Sequence, residues 1–172
     1  RGYGLVAIAY RGSSGSTGQP SEVTITNDTQ LLIERLPMVL GEIPKGKVIY
    51  YGESLGTGVA TKLALINPPD ALILEAPYTS IVSLAAMRMP YFPIRMTLDQ
   101  RWETERYIKK VSSPTLVIHG TRDQVIPYSM GKSIFTLSGS AAKQMKTIKG
   151  GNHLSAFTAK GQAAVYRFID GL

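Results

Sequence analysis

Cysteine is absent from the 172-residue chain, which excludes disulfides, thiolate metal sites and a cysteine nucleophile. Long apolar runs are missing as well. None reaches the roughly 18 residues that a membrane-spanning helix needs. Acidic residues are missing from a whole segment: positions 124–169 hold Lys132, Lys143, Lys146, Lys149, Lys160 and Arg167 but no Asp or Glu. A basic face of this kind attracts nucleic acid, an anionic membrane surface or an acidic substrate. These cations are scattered and no nucleic-acid motif accompanies them, so no nucleic-acid partner is expected. A merely solvated face is the plainer reading, and an anionic membrane surface stays open.

What is present suits one domain. The length allows one sizeable core, and 44% hydrophobic residues are ordinary for a soluble globular protein. The first residue is Arg1 rather than Met, and an apolar run follows at once. The sequence therefore reads as the later part of a longer chain, whose leader or anchor would not be visible. The lack of cysteine fits a reducing compartment, so a cytoplasmic or peripheral-membrane location is expected.

Apolar, β-branched runs recur at Leu5–Tyr10, Lys47–Tyr51, Ala71–Glu75, Thr115–His119 and Met145–Ile148. Helical spacing lies between and after them, over Thr29–Leu40, Thr57–Asn67, Ile134–Leu137 and Ala156–Ile169, with Pro37 expected to interrupt the first. Strand and helix alternating in this way predict an α/β domain with a largely parallel sheet. One interval breaks the rhythm. About forty residues separate the runs ending at Glu75 and starting at Thr115, too many for a plain crossover. Residues 77–113 hold Tyr78, Met87, Met89, Tyr91, Phe92, Met96 and Trp102. That composition suits an adaptable apolar lid over a pocket, or equally a second layer of ordinary core.

The chemistry centres on Gly52-Glu53-Ser54-Leu55-Gly56, the single G-x-S-x-G in the chain. It follows an apolar run and opens a helical one, the context in which such a serine is a nucleophile. A tight turn there leaves no room for side chains on either side, so glycines flank it. The turn presents the hydroxyl beside a helix N-terminus and its N–H donors. A serine needs a base, and the chain offers two histidines. His119 ends an apolar run and reads as structural. His153, in the glycine-rich loop after the last predicted strand, is the better candidate, because such loops display catalytic side chains. Asp123, just past the run at Thr115–His119, is the candidate acid, with Glu75 as the alternative. The order Ser54, Asp123, His153 differs from both familiar protease orders.

With those residues in view, the chain resembles an α/β-hydrolase-fold serine hydrolase. It is most similar to the branch with lysophospholipase-like, monoacylglycerol-lipase-like and protein-depalmitoylase enzymes. The stretches that carry this are YRGSSGSTGQPSE, YGESLGTGVA, LILEAPYTS, HGTRDQVIP and GGNHLS, which together span nearly the whole chain. Two departures, SSGS after Gly12 and no acid after His153 in GGNHLS, blur the substrate. The resemblance implies helices on both sheet faces and a short lid insertion. It also implies a Ser54–Asp123–His153 triad acting on esters or thioesters of an apolar acyl group, without metal or cofactor. The Leu55 N–H would be one oxyanion donor. In this family the second donor follows the third strand, which pairs between the fourth and the fifth. Leu5–Tyr10 corresponds to the fourth and Lys47–Tyr51 to the fifth. The N-terminal strands are thus expected to be absent from this sequence, and the 172 residues alone to be weakly active or inactive.

Other motifs fail. Gly41–Lys47 nearly spells a P-loop, but Val48 stands where magnesium needs a hydroxyl, and the motif precedes a strand rather than following one. GYGLVA also lies before its strand, where a dinucleotide fingerprint would follow one. No His/Asp/Glu group has metal-ligand spacing. The competing reading is a non-catalytic hydrolase-fold protein that binds a partner or a membrane.

Overall fold

A computed structural model describes residues 2–41, 46–154 and 158–172, with Arg95 and Met96 as backbone only. Positions 42–45 of the P-loop near-match, Ser155 of GGNHLS, the start of the helix expected from Ala156, and the Met96 side chain lie outside the described residues. The chain divides into two compact units, residues 1–43 and 44–172.

In the first unit, helix α1 (Glu22–Glu34) begins seven residues before the expected Thr29. Val23, Thr24, Ile25 and Thr26 are β-branched and hide a helix from a propensity reading. A capping box starts it: the Ser21 hydroxyl accepts from the Thr24 N–H at 3.0 Å, and the Thr24 hydroxyl accepts from the Ser21 N–H at 2.9 Å. Pro37 interrupts the helical stretch as expected, in the first turn of α2 (Leu36–Leu40). Arg11 forks onto both carboxylate oxygens of Asp28, at 2.5 and 2.7 Å. The strand expected at Leu5–Tyr10 does not form. A strand exists only by sharing hydrogen bonds with a neighbour, and among the described residues this segment pairs with none.

The second unit is built on a four-stranded parallel sheet in the order β1 (Ile49–Glu53), β2 (Ala71–Glu75), β3 (Thr115–Gly120), β4 (Lys143–Ile148). β2 and β3 are buried along their whole length, which is why they read as continuous apolar runs. β1 lies two residues later than expected, placing Glu53 opposite Glu75. β4 starts two residues early, because an edge strand tolerates Lys143 and Gln144.

Side chains alternate between the two faces of the sheet. Ala71, Ile73, Leu116, Ile118 and Ile148 form a core with Phe168 of α8 (Ala159–Asp170). The opposite face carries Gly52 and His119, and takes α3 (Leu55–Ile66) and α7 (Tyr128–Leu137). A Cβ on Gly52 would stand 2.5 Å from the Gly56 carbonyl oxygen, so glycine there lets α3 press onto β1. Helices on both faces of a parallel sheet are the expected architecture.

Between β2 and β3 come α4 (Ile81–Arg88), α5 (Ile94–Thr97), α6 (Thr104–Tyr107) and a 3-10 turn over Ile108–Lys110. Tyr78 and Trp102 are buried core, whereas Met87, Met89, Tyr91 and Phe92 are exposed.

Candidate active site

Ser54 sits between the last residue of β1 and the first of α3, at φ 50° and ψ −117°. Positive φ is uncommon and costly for a residue with a Cβ, and it marks a tight elbow held by its surroundings. The restraints are visible. The Ser54 N–H donates to the Glu75 carbonyl at 3.0 Å, and its own carbonyl accepts from the Thr57 N–H at 3.0 Å and the Thr57 hydroxyl at 2.6 Å. One turn on, a Cβ at Gly58 would fall 2.1 Å from the buried Tyr78 hydroxyl, so glycine lets the insertion close on α3.

Asp123 leaves the carboxyl end of β3 with its side chain fully buried. Its Oδ1 accepts from the N–H groups of Val125 and Ile126 at 2.8 and 2.9 Å, which folds the loop around the carboxylate. Burial alone would push the carboxyl up. The hydrogen bonds from His153, Ile126 and Val125 outweigh it and hold Asp123 below the ordinary carboxylate range.

His153 follows β4. Its Nδ1 stands 2.8 Å from Asp123 Oδ2 and its Nε2 stands 3.0 Å from Ser54 Oγ. An ionised carboxylate only accepts, so Nδ1 carries the proton and Nε2 offers its lone pair to the serine hydroxyl. The structure therefore brings together the three residues singled out from the sequence, each at a strand's carboxyl end. Leu55 begins α3, where the first N–H groups have no partner within the helix.

Neither alternative bridges Ser54 and Asp123 as His153 does. His119 is buried, with Nε2 2.9 Å from the Ile126 carbonyl oxygen. Glu75 accepts a 2.7 Å hydrogen bond from the Tyr51 hydroxyl. Sequence reasoning missed Arg88, at the end of α4. Its guanidinium donates to the Gln124 and Val125 carbonyls, both at 2.7 Å, and so ties the insertion to the Asp123 loop. No sequence motif marks Arg88, because its acceptors are loop carbonyls.

Large apolar side chains next in sequence to this machinery are exposed: Leu55 after Ser54, Val125 two residues after Asp123 and Leu154 after His153. Among the described residues, no His/Asp/Glu group could hold a metal ion and no helix is long and apolar enough to cross a membrane. Of the basic segment, Lys143 is occupied, donating to the Thr136 and Ser138 carbonyls, and Arg167 donates to that of Ala163.

No family model matches the chain. Among curated proteins, Rv2307c of Mycobacterium tuberculosis is 30% identical over 171 residues, covering 98% of this chain and 60% of its own length. The lysophosphatidylserine lipase ABHD12 of zebrafish (Danio rerio) is 34% identical over 167 residues, 87% of this chain and 42% of that protein. The chain thus spans little more than half the length of such relatives, or less. An alpha-beta serine hydrolase homologue from Coxiella burnetii superposes with a TM-score of 0.63 over 95% of this chain and 66% of that one, at 17% identity.

Proposed function

We propose, from the premise that the chain belongs to the α/β-hydrolase fold family, that it is the nucleophile-bearing part of a serine hydrolase. Its substrates are carboxylic esters, thioesters included, of an apolar acyl group. The observation that carries the reading is the unbroken hydrogen-bonded line Ser54 Oγ, His153 Nε2 and Nδ1, Asp123 Oδ2, at 3.0 and 2.8 Å.

Ser54 Oγ attacks the carbonyl carbon as its proton passes to His153 Nε2, and the carbonyl π pair becomes an oxyanion. Asp123 keeps the imidazole in the required tautomer and stabilises the imidazolium without taking the proton. The Leu55 N–H, at the positive end of α3, faces the developing charge. Collapse breaks the bond to the leaving alcohol or thiol, which takes the proton from His153. Water, deprotonated by the same nitrogen, then releases the acid and restores Ser54. Removing one such oxyanion donor costs about 10²–10³ in rate.

The apolar rim of Leu55, Val125 and Leu154, with the exposed Met87, Met89, Tyr91 and Phe92 of the lid, favours an acyl chain over a peptide. The lipase relative points the same way, towards a lipid ester. Hydrolysis of p-nitrophenyl esters of increasing acyl length, beside a Ser54→Ala control, tests this. Turnover that rises with chain length and is lost in the control is expected. Equal rates in both proteins would overturn the proposal.

A further inference from the structure

Asp123 faces two histidines. While Oδ2 bonds to His153 at 2.8 Å, the same oxygen stands 3.3 Å from Nε2 of His119, whose side chain is fully buried. We infer that His119 is a positioning residue for the hydrolytic reaction, a neutral Nε2–H donor that fixes the Asp123 loop so that Oδ2 stays on His153. The inference rests on the triad reading above and assigns a task to the histidine that reading leaves over.

The tautomer follows from the partners. The Ile126 carbonyl oxygen, 2.9 Å from Nε2, can only accept, so Nε2 carries a proton. Among the described residues the other nitrogen, Nδ1, is buried without a hydrogen-bond partner. A second proton there would be a buried donor with nothing to receive it, which opposes the cation. Burial pushes His119 below the ordinary histidine range in the same sense, against the opposing pull of the Ile126 carbonyl and Asp123.

Neutrality matters for the chemistry. A cationic His119 would compete with His153 for Asp123 and weaken the base. A neutral N–H restrains the carboxylate without adding charge. The loop then has three fixings that converge: two backbone N–H groups on Oδ1, His153 on Oδ2, and His119 on the Ile126 carbonyl beside it. The ionising groups facing the ring are Asp123 and His153, and the Tyr128 phenol of α7 meets it edge-on at 5.8 Å. Gly131 of α7 makes the space, since a Cβ there would fall 2.1 Å from His119 Nδ1.

The test uses the protein at full natural length and measures kcat and KM for ester hydrolysis against pH, for wild type, His119→Leu, His119→Gln and Gly131→Ala. The expected result for His119→Leu is a kcat lower by up to about 10²-fold, as for a small misplacement of a catalytic group, with KM unchanged. Glutamine, whose side-chain N–H can reach the same acceptors, restores most of the kcat. Gly131→Ala, which displaces the ring, repeats the leucine result. If the profiles of His119→Leu and wild type coincide, or glutamine does no better than leucine, His119 has no positioning role although the triad stands. A wild type that is folded but inactive overturns the triad reading, and this one with it. Imidazole ¹⁵N spectra of the wild type give an answer without any variant. His119 is expected as the neutral Nε2–H tautomer at neutral pH, its protonation held below the ordinary histidine range by burial, and a cation at neutral pH would overturn the inference.

Discussion

Ser54 Oγ and His153 Nε2 stand 3.0 Å apart although 99 positions separate them in the chain. The parallel sheet closes that distance. Each strand delivers its following loop to the same carboxyl edge, so residues after β1, β3 and β4 meet there. The consequences of that meeting are open to measurement.

The elbow stores strain that glycine would relieve. Ser54→Gly should raise stability by about 1 kcal/mol, since glycine adopts positive φ without steric cost. Activity should vanish in the same variant. Thermal unfolding and ester turnover on one preparation check both, and unchanged or reduced stability would deny the strain.

Asp123→Asn should lower kcat by about 10⁴-fold with little change in fold, because an amide does not hold His153 in the required tautomer. Stability should respond to pH as well. Asp123 is held below its unfolded value of about 3.9, so its contribution is present above that pH and is lost as pH falls through the lower folded value. Wild type should therefore lose stability on acidification below about pH 4, and the asparagine variant less steeply. Denaturant midpoints measured from neutral to acid pH check the sign.

Arg88→Ala removes two hydrogen bonds from the Asp123 loop while leaving the triad side chains in place. Faster hydrogen exchange at the Val125 and Ile126 amides is expected, with kcat falling more than KM changes. Exchange as slow as in wild type would show that the loop holds without the insertion.

Gly52→Ala should be among the most damaging single methyl additions. Its Cβ would meet the backbone of α3 rather than a yielding side chain, and a loss of about 3 kcal/mol or more is expected. Recovery of soluble, cooperatively unfolding protein at wild-type yield would contradict the close approach of α3 to β1.

Much of this was legible before the structure, for a physical reason. Buried parallel strands such as Ala71–Glu75 and Thr115–Gly120 are largely apolar, so they announce themselves, and the loops after such runs become places to look. Together with the G-x-S-x-G motif and the choice between only two histidines, that logic singled out Ser54, Asp123 and His153. It failed at Leu5–Tyr10, where apolar composition suggested a strand but a strand needs a neighbour that composition does not reveal. It failed again over residues 22–28, where β-branched residues form a helix because Ser21 caps it. His119 was read as structural, but its partner, like those of Arg88, was beyond reach for another reason. These partners are backbone carbonyls, Gln124 and Val125 for Arg88 and Ile126 for His119, and every residue has a carbonyl.

The most direct measurement of the central claim is covalent. Treatment with a fluorophosphonate probe, followed by peptide mass spectrometry, is run on the 172-residue chain and on an N-terminally extended form. The account predicts an adduct on Ser54 in the extended form, absent in Ser54→Ala and weaker in the shorter chain. No adduct in either form, with both folded, would contradict it and leave a hydrolase fold that binds without turning over.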